Sequence, residues 1–113
     1  MKEIKAFVRQ YRIADVLQAV RDSGLYDQGA TGSSCYNLTV SQVQRPLASD
    51  EADQQHYSLD LAQPIVAEFR LELVCTDDVA NALADIIAKA ARTGQPEAGW
   101  VFVSDIQHVV EIR

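Results

Sequence analysis

An α+β fold in the order β-α-β-β-α-β is what this sequence predicts, and three observations carry it. Residues 65–75 read as one long strand. Ile65, Ala67, Phe69, Leu71, Leu73 and Cys75 alternate with Val66, Glu68, Arg70, Glu72 and Val74, an apolar face against a mixed one. A helical pattern follows at once and stops at the turn Ala91-Arg92-Thr93-Gly94. A second apolar strand, residues 100–105, comes next. Strand, helix, glycine turn and strand make a split βαβ unit, with both strands in one sheet and the helix across one face.

The other elements follow in chain order. Residues 1–9 form a strand, with Ile4, Ala6 and Val8 on one face and Glu3, Lys5, Phe7 and Arg9 on the other. Residues 13–23 form a helix on the stripe Ile13, Val16, Leu17, Val20, Leu25, and Gly24 stops it. Residues 26–37 have loop chemistry throughout. Gly29, Gly32, Ser33 and Ser34 offer amides to an anion, but no Gly-Lys-Ser/Thr pair marks a nucleotide-hydrolase loop. Residues 38–44 form a second strand, ended by Arg45-Pro46.

Residues 47–64 are a long excursion, acidic and polar in their first half. A connection of this length between strands that pair points to function or to disorder. In its second half Tyr57, Leu59 and Leu61 alternate, which predicts an outward extension of the strand that follows. An exposed arm with an aromatic tip suits docking into a partner, and His56, Tyr57, Leu59 and Leu61 are its candidate contacts.

The second helix spans residues 77–92. Thr76 is its expected N-cap, Asp77 and Asp78 suit the positive end of its dipole, and Val79, Leu83, Ile86, Ile87 and Ala90 form its buried stripe. A short last strand is expected over residues 106–113, where Ile106, His108, Val110 and Ile112 alternate with Gln107, Val109, Glu111 and Arg113. The whole is a ferredoxin-like arrangement, an antiparallel sheet with both helices on one face. The other face mixes Arg9, Glu68, Arg70 and Glu72 with Phe7, Val66 and Val74, and this half-apolar surface argues for self-association.

Composition bounds the function. A chain of 113 residues, 48% apolar, makes one domain with a limited core. A net charge of −6 and the lack of a Lys/Arg cluster argue against nucleic acid as a partner. No run of 18 apolar residues exists to insert into a membrane. Cys35 and Cys75 have no metal-ligand spacing, and the first residues carry no secretory pattern, so a reducing, cytoplasmic setting is expected. Cys75 reads as a buried hydrophobe, while Cys35 in its Gly/Ser loop is either an exposed redox-active thiol or inert. His56 and His108 are the only histidines and stand 52 positions apart. No nucleophile–base constellation emerges, so binding and signalling outweigh catalysis, and no metal is expected.

Several stretches, in order and at these separations, carry a resemblance. They are Met-Lys-Glu-Ile-Lys-Ala-Phe-Val-Arg at the start, Leu38-Thr39-Val40-Ser41-Gln42-Val43, Phe69-Arg70-Leu71-Glu72-Leu73-Val74, Ala90-Ala91-Arg92-Thr93-Gly94, Gly99, Val101-Phe102-Val103 and Ile112-Arg113. Over nearly its whole length the chain resembles PII-type signalling proteins, a superfamily of nitrogen and carbon regulators. The resemblance implies a homotrimer with an adenine nucleotide in each cleft between subunits. It also implies a T-loop at residues 45–64 that docks on a membrane transporter or an enzyme. By the same resemblance, Thr39 and the backbone near Val74 lie at the adenine and Arg113 at the phosphates, and Arg45, Glu72, Gly99 and Trp100 complete the candidate nucleotide-binding residues.

The departures narrow the ligand. The family's Gly-Asp-Gly-Lys is Glu97-Ala98-Gly99-Trp100 here, one of its terminal arginines is Glu111, and its basic Gly-Arg-Gln is Leu47-Ala48-Ser49. Fewer positive charges favour AMP or ADP over ATP, with bicarbonate as a candidate second ligand. Divergent PII-like proteins associated with bicarbonate transport, carboxysomes or metal efflux resemble the chain better than ammonium-transporter regulators do. Two alternatives share the fold. One is a CutA-like trimeric metal-tolerance protein using Cys35, His56 or His108. The other is a trimer that binds a partner and senses no small molecule.

Overall fold

The computed structural model describes residues 1–26, 34–46 and 55–113. The loop readings at 27–33, including Gly29, Gly32 and Ser33, and the first half of the excursion, at 47–54, lie outside the described residues. Among the described residues there are five strands and two α-helices: β1 (Lys2–Arg9), α1 (Ile13–Asp22), β2 (Cys35–Pro46), β3 (Gln55–Ser58), β4 (Gln63–Cys75), α2 (Asp77–Ala90) and β5 (Trp100–Asp105). A 3-10 turn, Gln10–Arg12, joins β1 to α1.

Every strand pairing is antiparallel, in the order β2-β4-β1-β5, with β3 against β4. Because β4 and β5 both run against β1, they are parallel to one another, as a crossover through α2 requires. This is the ferredoxin-like α+β arrangement.

Period two decides which residues reach the core. Ile4, Ala6 and Val8 of β1 and Leu71, Leu73 and Cys75 of β4 face the helices. They meet Val16 and Val20 of α1 and Ala80, Leu83 and Ile87 of α2 in one buried cluster. Removing so much apolar surface from water is what holds helices of 10 and 14 residues in place. Gly24 follows α1 with φ +71°, a backbone that glycine adopts without steric cost.

Five sequence expectations shift. First, α2 ends at Ala90, not at residue 92, and Gly94 (φ +86°) belongs to the turn beyond. The last turn is held from outside, since Arg12 donates to the Ala90 carbonyl from Nε at 3.1 Å and from Nη2 at 2.6 Å. Second, Thr76 occupies the N-cap position but caps nothing, and its hydroxyl is buried without a partner. Its backbone is the part in use, donating to the Ser34 carbonyl at 2.9 Å.

Third, β2 starts at Cys35, three residues before its predicted start. A bulge between Tyr36 and Thr39, with Asn37 at φ +61°, lets the strand cross what reads as loop chemistry. Fourth, the second half of the excursion does not prolong the next strand. Residues 55–58 fold back as β3, from Gln55 opposite Val66 to Ser58 opposite Gln63. Fifth, residues 106–113 form no strand. The Ile106 amide donates to the Met1 carbonyl at 3.0 Å, but beyond that bond the tail makes no strand pairing.

Candidate functional site

A cleft of about 810 Å³ opens where α2 ends and β5 begins. Its walls are Phe7 and Val8 of β1, the outer face of α2 at Ala84, Asp85 and Ala88, and the connection from Ala91 to Trp100. The size is that of a small-molecule site. Among the described residues of these walls Arg92 is the one Lys or Arg, with Asp85 and Glu97 as the carboxylates.

The connection is shaped by local chemistry. Thr93 Oγ1 accepts from the Gln95 amide at 3.1 Å, and Glu97 takes φ +56°. Gly99 is fixed by a close approach: a Cβ there would sit 2.3 Å from the Phe7 carbonyl oxygen. No side chain fits, so the backbone of 99 lies directly on β1 and sets where β5 starts.

Register places the remaining predicted residues. Thr39 pairs with Glu72, Tyr36 with Val74, Arg45 with Val66 and Phe7 with Trp100. Alternation therefore puts Thr39, Arg45, Glu72, Val74 and Trp100 on the sheet face opposite the helices. They share a face but not a pocket. Thr39 and Arg45 lie on β2, and Trp100 on β5, with β4 and β1 between them. Three strand spacings make that roughly 14 Å. Glu72 is ion-paired with Arg70 at 2.9 Å.

Arg113 is 85% exposed at the end of the tail, and its guanidinium holds Glu111 at 3.2 and 3.1 Å. Of the predicted nucleotide residues, only Gly99 and Trp100 line the cleft. Within one chain Thr39, Gly99 and Arg113 do not converge.

The open face is partly aromatic. Phe7 and Phe102 meet edge to face at 6.3 Å between centroids, and Trp100 and Phe102 are about half exposed. In the predicted docking arm, Tyr57, Leu59 and Leu61 are exposed, and His56 stands opposite Ile65 on β3. Cys35 is buried rather than at the surface, which removes the exposed-thiol expectation. Among the described residues, no three His, Cys, Asp or Glu side chains gather into a metal-holding group.

Two features escaped sequence reasoning. Glu68 is 1% exposed on the face opposite the helices, held by Arg9 and by Arg45 Nε at 2.8 Å. In sequence it looks like any other charge on a solvated face. The signal that finds it is register, since Arg9 stands directly opposite Glu68. The hub ties β1, β2 and β4 together at the foot of the 45–64 segment. Arg92 was visible only within a motif, and its place on the cleft wall depends on where α2 ends.

Residues 1–113 match the protein family described as Nitrogen regulatory protein P-II. The chain is 29% identical over 113 residues to the nitrogen regulatory protein P-II of Porphyra purpurea, covering all of this chain and 92% of that protein. It is 26% identical over the same length to the P-II protein of Klebsiella oxytoca and to P-II 1 of Escherichia coli K12, each with 92% of the relative covered. The match spans the whole chain. The chain belongs to the nitrogen regulatory protein P-II family.

Proposed function

We propose that the chain works as a homotrimeric, cytoplasmic signalling protein. It binds an adenine nucleotide, AMP or ADP in preference to ATP, in a cleft completed by a neighbouring copy. Its occupancy is reported through the 45–64 segment to a membrane transporter or an enzyme. One observation carries the reading: the candidate residues divide between opposite edges of the sheet. Gly99 and Trp100 line the cleft at the β5 edge, while Thr39 and Arg45 stand on the β2 edge. A second copy that brings its β2 edge to the first copy's β5 edge unites the two halves. The half-exposed Trp100 and Phe102 supply apolar surface for that contact.

Electrostatics supports the less charged nucleotides. One arginine faces two carboxylates on the cleft wall, and each further phosphate adds charge that this wall repels. Bicarbonate is the proposed second ligand, a small anion that a single guanidinium can hold. Tyr57, Leu59 and Leu61 are the proposed contacts with the regulated partner. A ligand shifts the segment only as far as it favours one of its conformers.

The test is calorimetric titration of AMP, ADP and ATP, each with and without bicarbonate, with Trp100 fluorescence and sedimentation in parallel. Trp100 is the one tryptophan of the chain, so its emission reads the cleft directly. Expected are a trimer at micromolar concentration, saturable binding and weaker affinity for ATP. A monomer, or silence with all three nucleotides, overturns the proposal.

A further inference from the structure

Cys35 opens β2 and Cys75 closes β4, and the two are direct partners in the antiparallel ladder. The Thr76 amide donates to the Ser34 carbonyl at 2.9 Å, one residue outside the pair on each strand. A backbone bond in that place makes Cys35 and Cys75 a non-hydrogen-bonded pair. In such a pair the Cα atoms lie ~4.5 Å apart and the side chains are close. A disulfide spans Cα separations of ~4.4–6.8 Å. Both residues are in the thiol form, both point to the helix side, and they are 1% and 0% exposed. The two sulfurs share a hydrogen bond.

We propose that Cys35 and Cys75 form a redox-modifiable site that closes to an intrachain disulfide, with hydrogen peroxide as the oxidant. One sulfur attacks the peroxide, the O–O bond breaks, and a sulfenic acid and one water result. The second thiol attacks the sulfenic sulfur, the S–O bond breaks, and a second water leaves with the remaining thiol proton. Each cysteine sulfur loses one electron, and the two peroxide oxygens are reduced.

The buried pair is slow by design of its surroundings. Burial, reinforced by Cys75, pushes the Cys35 thiol up to about 11, so little thiolate is present near neutral pH. β2 is an edge strand and Cys35 is its first residue, the part of a sheet that opens locally at least cost. Oxidation runs through that opening, and the bridge then holds the start of β2 against the residue next to the N-terminus of α2. The site lies apart from the nucleotide cleft, so it stands or falls separately.

The test treats the native protein with hydrogen peroxide at neutral pH, traps remaining thiols with iodoacetamide and reads intact mass and peptide maps. Expected are the loss of two hydrogens and a peptide linking 35 to 75 within one chain, both reversed by dithiothreitol. The melting temperature should rise by on the order of 10 °C, because the bridge closes a long loop in the unfolded chain. Complete alkylation of both thiols after treatment overturns the proposal. So does a link that forms only in denaturant or only between chains. In Cys75→Ser, Cys35 should take up oxygen or form mixed disulfides without closing.

Discussion

Replacing Glu68 by leucine tests the least expected feature of the sheet. Glu68 is 1% exposed, the Arg9 side chain 6% and the Arg45 side chain 28%. Without the carboxylate, Arg45 turns toward water at little cost, because part of it is already there. Arg9 cannot, and its charge stays buried with the carboxylate that stood opposite it on β4 gone. Breaking a buried pair from one side costs about 3–5 kcal/mol, whereas replacing both charges by apolar groups of similar volume is often near neutral. Glu68→Leu should therefore lose about 3–5 kcal/mol from a total that for a domain of this kind is roughly 5–15 kcal/mol. Urea titration at fixed protein concentration reads it: with a slope of about 1.5 kcal/mol per molar, the midpoint falls by roughly 2–3 M. Glu68→Leu with Arg9→Leu should recover most of that loss, and Glu68→Leu with Arg45→Leu little of it. A single-variant loss under about 1 kcal/mol, or equal recovery from the two second substitutions, refutes the reasoning.

Three further outcomes follow from the geometry. Gly99→Ala drives a Cβ to 2.3 Å from the Phe7 carbonyl oxygen, so stability falls by about 1–3 kcal/mol. Nucleotide affinity in the proposed cleft should fall at least about tenfold, read by calorimetry beside thermal melts. Arg12→Met removes both donors from the Ala90 carbonyl and costs about 1–2 kcal/mol, with faster amide exchange confined to the end of α2. The raised Cys35 thiol gives an alkaline dependence. Between 9.0 and about 11 the unfolded chain sheds a proton that the folded chain keeps, so stability falls as pH rises through that window. Denaturant midpoints across pH 8–11 should flatten in Cys35→Ala, and an unchanged slope contradicts the assignment.

The periodic elements were legible because their cause is local. Alternation along 65–75 and the stripe Val79, Leu83, Ile87 report which side meets the core, whatever the strand order. What stayed hidden depends on partners far along the chain. Gln55–Ser58 is too short and polar to show a period, and it is a strand only because the start of β4 lies beside it. Residues 106–113 alternate as a strand should, yet alternation supplies no neighbour. Cys35 and Cys75 stand 40 positions apart in sequence and become neighbours only through register. Glu68 and Glu72 look alike on paper, and only the crossing of β1, β2 and β4 buries one of them. In the site, the glycine turn and Gly99 were readable, because a tight backbone approach demands a residue type. The division of the other candidates between two edges was not, since it follows from strand order.

Arg45 on β2 and Gln55 on β3 are both in register with Val66, one on each flank of β4. The two ends of the connection therefore stand on either side of one residue, about two strand spacings apart. A pull on the chain between those two ends reaches both flanks at once. One end is Arg45, which grips Glu68 and through it Arg9, so a load applied outside the domain enters the sheet through three strands at a single level.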